Sequence, residues 1–558
     1  MLFDTNDLIE MTFGDLLDLL EKKYPDNLCV TYCDRDYRRT FAEFNREVEA
    51  AAKGFLALGI GKGDHIAIWA TNVPEWLVTF FAAAKIGAVL VTVNTNYKIF
   101  EAEYLLRQSD SKAAVVIDVF KDSDYIDTIQ RLVPGLDAHD KSKEIDSPLL
   151  PRLKRVIYAG GKKEAPGGMI KFEELYELGK KVGQGALEKI AKSLDIHDVV
   201  NMQYTSGTTG FPKGVMLSHY NIVNNGKNIG DCMKLSPEDK YCICVPFFHC
   251  FGMVLSITAC ITHAAAMVPV EYYSPIPVME ALQSEKCTAF NGVPTMFINI
   301  IDHPDFKKYD FTNLRTGIMA GSVCPEKVMR DAAKHMNMAQ ITSVYGLTEA
   351  SPGCTQHTAD DSLDLRVTTV GRTLPHVEAK IIDPETGKIL GPGEPGEFCA
   401  KGYNIMKGYY NMEEATKQAI DGEGWLHTGD IAVADENGYY KITGRLKDMI
   451  IRGGENIYPK EIEEFIYTLP QVSDVQVVGV PSKQYGEEIM AYVILKEGET
   501  MAEEELKQAV KNSLARHKVP KYVKFTDAFP MTASGKIQKY KLREDAALEL
   551  GLGEEETI

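Results

Sequence analysis

The chain has 558 residues, too many for one hydrophobic core, so at least two domains are expected. Its 45% hydrophobic and 25% charged residues are ordinary for a globular protein and exclude a fibrous or disordered one. The formal net charge of −18 argues against nucleic acid as a partner, which would need clustered Lys and Arg, so any anion site must be local.

The 11 cysteines lie between Cys29 and Cys399 with no C-x-x-C pair. Neither a disulfide framework nor cysteine-bound metal has support, and reduced thiols in a cytoplasmic enzyme fit better. The acidic start, Met1-Leu-Phe-Asp-Thr-Asn-Asp7, lacks the basic region of a secretory signal. The longest apolar run, Val254 to Val270, is interrupted by His263 and is too short to cross a bilayer.

In chain order, the patterning predicts helix within 10–60, broken by a strand at Leu28–Tyr32, with a second helix from Thr40 to Leu58. A strand at Asp64–Ala70, a helix at Pro74–Ile86 and a strand at Ala88–Val93 follow. A helix at Glu101–Ser109 then leads to a strand at Ala113–Ile117. Strands alternating with helices imply βαβ units and a largely parallel sheet. Residues 134–152 read as a surface loop. Alternation resumes between 241 and 345, while 376–443, rich in Gly and turn signals, reads as an antiparallel subdomain.

From 446 a complete pattern starts again: helix Pro459–Thr468, strands Val472–Val480 and Glu488–Leu495, helix Glu503–Leu514, then Val523-Lys-Phe. About 110 residues suffice for a small domain. The expected class is therefore α/β. A large domain, 1–445, combines largely parallel sheets, helices and the antiparallel β subdomain; a small α+β domain spans 446–558.

Residues 204–215, Tyr-Thr-Ser-Gly-Thr-Thr-Gly-Phe-Pro-Lys-Gly-Val, organise the chemistry. Gly207, Gly210 and Gly214 let backbone N–H groups approach an anion, and Thr205, Ser206, Thr208 and Thr209 add hydroxyl donors. Lys213 supplies a mobile positive charge. A flexible surface loop would have no use for Pro212 and Lys213 at fixed places. A P-loop would need Ser or Thr after the lysine, where Gly214 stands.

Tyr204 to Gly214 resembles the phosphate-binding signature of the adenylate-forming superfamily: acyl-CoA synthetases, peptide-synthetase adenylation domains and beetle luciferases. Six further segments follow in that family's order. Val245-Pro-Phe-Phe-His-Cys-Phe-Gly252 contains His249, which by spacing alone is a core histidine. The resemblance instead implies that it borders the carboxylate pocket. Met319-Ala-Gly-Ser-Val-Cys-Pro325 reads as a strand, a turn and a helix start; the resemblance places Gly321, Ser322 and Val323 against adenine and the acyl group. Ser343-Val-Tyr-Gly-Leu-Thr-Glu-Ala350 offers Tyr345 to stack on a purine, Thr348 to donate to a phosphate and Glu349 to hold Mg²⁺, which needs only one or two carboxylates beside phosphate oxygens.

In Gly424-Trp-Leu-His-Thr-Gly-Asp430 the resemblance implies that Asp430 binds the ribose hydroxyls. In Thr443–Pro459 it implies that Arg445 contacts ribose or phosphate, that Lys447 is a hinge, and that Gly454 lines the pantetheine channel. In Pro530–Lys539 it implies that Lys536 is the catalytic lysine.

The expected activity is that of an AMP-forming acyl-CoA synthetase using ATP, Mg²⁺ and coenzyme A, with a medium-chain fatty acid favoured. An aryl-CoA ligase and an acyl-AMP ligase loading a carrier protein are the alternatives. A non-enzymatic sensor would be expected to have lost Lys536, Glu349 or the 205–214 loop. Acetate-activating members carry tryptophan where Gly346 aligns, so glycine is expected to leave room for a longer acid. The partners expected are the small acid, ATP and coenzyme A, without nucleic acid; a homodimer is allowed but not required.

Overall fold

The computed structural model describes residues 3–4, 7–183, 185–205, 212–321, 324–452, 455–482, 484–531 and 537–551. The chain divides into two compact units, Met1–Glu378 with Ala400–Leu426, and Ala379–Cys399 with His427–Ile558. The boundary read at 446 falls inside the second unit, after the strand Tyr440–Arg445.

Local signals explain most element ends. Pro74 starts the helix Pro74–Ile86 and Gly87, at φ +71°, stops it, as proline at the first turn and glycine past the last favour. From Trp76 to Ile86 every residue of that helix is buried, so it is a core helix without a polar face. Burying Trp76, Leu77, Phe80 and Phe81 contributes about 1.5–3 kcal/mol each. At Ser218 the chain turns from strand to helix: its hydroxyl accepts from Asn221 N at 3.2 Å, and Asn221 Oδ1 accepts from Ser218 N at 2.9 Å. These reciprocal caps fix the start of the helix His219–Cys232.

The first unit holds an eight-stranded sheet in the order 408–409, 213–218, 199–205, 89–92, 65–69, 113–116, 155–158, 170–171. Its middle is parallel, but Val199–Thr205 runs antiparallel to Lys213–Ser218, which is antiparallel to Gly408–Tyr409. A seven-stranded sheet runs 340–342, 316–319, 289–292, 240–243, 266–269, 28–31, 38–40, parallel except for its last pair. Parallel strands buried on both faces need apolar runs, and Val89–Thr92, Ala113–Val116, Thr316–Met319 and Ala289–Gly292 are buried throughout. Residues 134–152 form an irregular connection as expected, yet Leu136, Ile145 and Leu150 are buried, so it also contributes to the core.

The second unit contains a four-stranded sheet, 377–382, 396–402, 426–434, 440–445, in which the last pair is antiparallel. Its five-stranded sheet is built on the long antiparallel pair Val472–Ser482 and Gly486–Leu495, with Tyr522–Phe525 parallel to the latter. Ile462, Ile466, Val475, Val477, Ile489, Val493, Leu506 and Val510 form one of its buried clusters.

Candidate active site

Four neighbouring parallel strands carry three of the motifs, and Val293, at their carboxyl ends. In sheet order, 340–342 leads to Ser343–Ala350, 316–319 to Gly321, 289–292 to Val293, and 240–243 to the segment of His249. Ligands of open α/β sheets bind at such carboxyl ends, because the loops there converge. The motifs also touch. Gly321 adopts φ +89°, and a methyl group there would stand 3.0 Å from Val293 Cγ1 and 3.9 Å from Phe251 Cδ1. Val293 and Phe251 thus both border Gly321. Ser322 and Val323 lie outside the described residues.

His249 begins the helical segment that follows. Its Nδ1 accepts from Phe251 N at 3.2 Å, which puts the proton of the neutral ring on Nε2. Cys250 Sγ is 3.7 Å from His249 Nδ1 and 3.7 Å from Thr348 Oγ1, so this segment meets the Thr348–Glu349 turn. The helix continues through a π-helical stretch, Met253–Thr258, whose spare groups are satisfied internally. Asn291 Nδ2 donates to Leu255 O at 3.3 Å and to Ser256 Oγ at 3.1 Å, while its Oδ1 accepts from Ile318 N at 2.7 Å.

Thr205 and Lys213 face each other as the last paired residues of their hairpin, so they close the base of the glycine-rich loop. Ser206, Gly207, Thr208, Thr209 and Gly210 lie outside the described residues. Tyr104 Oη donates to Pro212 O at 3.1 Å, and Gln108 Nε2 donates to Tyr410 O at 2.9 Å. The helix Ile99–Gln108 therefore holds the chain just before the strand Lys213–Ser218 and just after the strand Gly408–Tyr409.

Glu349 sits in the short turn Thr348–Ala350 and is half-buried. Its Oε1 accepts from Tyr409 Oη at 2.8 Å, and its backbone oxygen accepts from Met406 N at 2.9 Å. The ammonium of Lys213 lies 4.8 Å from the centre of the Tyr409 ring. Burial, and then the Glu349 charge, push the Tyr409 hydroxyl well above its ordinary range, so it stays a donor. Tyr409 escaped the sequence reading; the signal that could have found it is Gly408-Tyr409 after a turn.

Tyr345 pairs with Thr355 and is half-buried beside Gly346. Gly346 corrects an expectation. A Cβ there would lie 1.7 Å from Pro352 O and 3.1 Å from Cys354 N. The Cβ direction is closed by backbone, so close approach alone accounts for the glycine, without reference to acyl length.

The remaining candidates belong to the second unit. Asp430 is buried and pairs with Arg445 at 3.0 Å, the two lying opposite each other in their strands. Glu397 holds the preceding turn: Oε1 accepts from Gly429 N at 2.9 Å, and Oε2 lies 3.0 Å from His427 Nδ1. Cys399 Sγ is 3.6 Å from the same nitrogen. These three side chains could be read as a metal cluster, but the carboxylate oxygens are already engaged by the turn. Lys447 lies in the turn Leu446–Asp448; burial first, then the Arg445 charge, lower its pKa. Its backbone oxygen accepts from Arg543 Nη1 at 3.1 Å. Gly454 and Lys536 lie outside the described residues.

Two family models match: AMP-binding enzyme over residues 20–410, and AMP-binding enzyme C-terminal domain over 461–536. YngI of Bacillus subtilis (strain 168), provisionally named an acyl-CoA synthetase, is 54% identical over 96% of this chain and 97% of its own length. The mitochondrial medium-chain acyl-CoA ligase ACSF2 of Rattus norvegicus is 39% identical over 98% of this chain and 89% of its own. The crystal structure of ATP-bound MatB from Rhodopseudomonas palustris superposes with a TM-score of 0.79 at 28% identity, covering 96% of this chain and 99% of that one. The chain belongs to the AMP-binding enzyme family, and within it to the acyl-CoA synthetases, which are AMP-forming acid–thiol ligases. Among the described residues, no helix is long and apolar enough to cross a membrane.

Proposed function

We propose that the acid activated is a medium-chain fatty acid, and that the residues above divide the work between two half-reactions. The convergence of Phe251, Val293 and Gly321 beside the Cys250–Thr348 contact carries this reading: an apolar wall adjoins a polar turn at the strand ends. The likeness to a medium-chain ligase supports the chain length.

In the first half, a carboxylate oxygen of the acid attacks the α-phosphorus of ATP, giving an acyl-adenylate and releasing pyrophosphate. Two anions must meet, so charge compensation dominates. Lys213 and the hydroxyls and N–H groups of 205–210 hold the phosphates. Thr348 donates to the α-phosphate, Tyr345 stacks on adenine, and His249 borders the carboxylate. Lys536 bridges carboxylate and α-phosphate, and Asp430 with Arg445 holds the ribose. A single carboxylate with one oxygen already fixed fits a Mg²⁺ ion bound mainly by phosphate oxygens, and Glu349 would be its protein ligand. When bound, Mg²⁺ supplies neutralisation of phosphate charge. In the second half, the thiol of coenzyme A attacks the acyl carbonyl and AMP leaves. Gly454 lines the thiol's approach after the C-terminal segment turns about Lys447. The reduced cysteines fit a cytoplasmic enzyme.

The test is pyrophosphate release with ATP and Mg²⁺ over acids from acetate to palmitate, plus benzoate, each with and without coenzyme A. A maximum at middle chain lengths is expected, with acyl-CoA and AMP formed when coenzyme A is present. A maximum at benzoate or acetate would overturn the chain length. Pyrophosphate release that never yields acyl-CoA would overturn coenzyme A as acceptor.

A further inference from the structure

Tyr409 lies outside every motif of the sequence. It lies on the short strand Gly408–Tyr409, the edge of the eight-stranded sheet, next to Lys213–Ser218. It is 8% exposed, and Val215 is its partner across the strands. Its two ends meet two different parts of the site. The hydroxyl donates to Glu349 Oε1 at 2.8 Å, and the ring face lies 4.8 Å from the ammonium of Lys213. The strand is itself fixed: Tyr409 N donates to Thr416 Oγ1 at 2.9 Å, and Tyr410 N donates to Gly214 O at 2.8 Å. Among the described residues, no hydrogen bond is made by Glu349 Oε2, and Lys213 makes no ion pair.

We propose that Tyr409 is a positioning residue that couples the loop lysine to the metal-binding carboxylate, its ring setting Lys213 and its hydroxyl setting Glu349. The proposal rests on Glu349 as the Mg²⁺ ligand and Lys213 as a phosphate ligand. The physical case is one of pre-organisation. A carboxylate on a three-residue turn has rotamer freedom, and a lysine has more; a metal or phosphate that must order both loses affinity. One hydrogen bond to Oε1 leaves Oε2 directed elsewhere, and a ring beneath the ammonium holds the charge without neutralising it as a carboxylate would. Tyrosine supplies both contacts from one rigid plane.

The two contacts separate by substitution. Tyr409→Phe keeps the ring and removes the hydroxyl; Tyr409→Leu removes both. Equilibrium binding of ATP, by calorimetry with and without Mg²⁺, gives a readout independent of turnover. For Tyr409→Phe, metal-free ATP should bind within about twofold of the parent, while the gain conferred by Mg²⁺ falls about tenfold, as loss of a hydrogen bond to a charged group implies. The Mg²⁺ concentration for half-maximal pyrophosphate release should rise by a similar factor, and the melting temperature should hold. For Tyr409→Leu, metal-free ATP binding should also weaken about threefold as the lysine loses its ring.

A Tyr409→Phe enzyme with unaltered Mg²⁺ dependence would overturn the proposal. So would equal weakening with and without metal together with a lower melting temperature, since that is the mark of a packing role. Glu349→Gln is the separate control. If it leaves the Mg²⁺ gain intact, the carboxylate is not the metal ligand, and the underlying reading fails before Tyr409 is judged.

Discussion

His219 shows how a single buried group ties stability to pH. Its Nδ1 accepts from Phe13 N at 3.1 Å, joining the start of the helix His219–Cys232 to the start of the helix Phe13–Lys23. Burial lowers its pKa to about 4, against the opposing charge of Asp198. A folded pKa below the unfolded value of about 6.5 means that the unfolded chain takes up the proton first. The contribution is therefore present above pH 6.5 and is lost as pH falls towards 4. Its size is up to about 3 kcal/mol. Glu75 acts in the opposite sense, because burial raises its pKa to about 7 and favours the folded form as it protonates. The net curve mixes the two, so the difference between variant and parent is the informative quantity. His219→Gln should lower stability at pH 7.5 by about 1 kcal/mol yet flatten the loss between pH 6.5 and 4.5. Chemical denaturation at several pH values checks this; a parallel shift of the whole curve would sink it. Gly346 belongs to the same scale. Its residue type was legible, but the reason for it, the carbonyl of Pro352, was not.

At the scale of elements, the helix His219–Cys232 holds the site together through asparagines. Asn225 Nδ2 donates to Gly353 O at 2.9 Å and its Oδ1 accepts from Gly353 N at 3.0 Å, so one side chain satisfies both backbone groups. Asn221 donates to Ile405 O at 3.1 Å, and Asn228 to Pro375 O at 3.2 Å. The helix thereby fixes the hairpin behind Tyr345–Glu349 and the approach to Tyr409. A buried amide removed without its partners leaves unsatisfied groups costing about 1–3 kcal/mol each. Asn225→Leu should lower stability by about 2–4 kcal/mol and raise KM for ATP more than KM for coenzyme A. Thermal unfolding with steady-state kinetics decides; equal changes in both KM values would mean general loosening. The start of this helix was legible, since Ser218 and Asn221 form a capping box three residues apart. Its asparagine face was not, because polar residues at helical spacing ordinarily signal a solvated surface.

For the whole molecule, the division of labour between half-reactions is the point at issue. If Lys536 serves only adenylate formation, Lys536→Ala should slow that half by ~10²–10³ while sparing thioester formation from supplied acyl-adenylate. If Lys447 is a hinge, Lys447→Pro should slow the second half more than the first, because proline fixes φ where the backbone must turn. Single-turnover measurements of each half, from ATP and from isolated acyl-adenylate, separate the cases. Equal losses in both halves for either variant would overturn the assignment concerned.

Many of the elements, the repeated βαβ character and the motifs that mark an AMP-binding enzyme were legible along the chain, whereas the helices Tyr125–Leu132 and Phe172–Gly179 were not read there. The legible features are encoded over a few residues, by periodicity, caps and glycine spacing, as in Pro74–Ile86. Which strands neighbour one another, and hence that three motifs and Val293 come to adjacent strand ends, is set by packing between distant segments. Only that packing brings Tyr409 to Glu349 across 60 residues and Asn225 to Gly353 across 128. Such contacts depend on the register and order of whole sheets, and nothing in a residue's near neighbours along the chain records what packs against it in space.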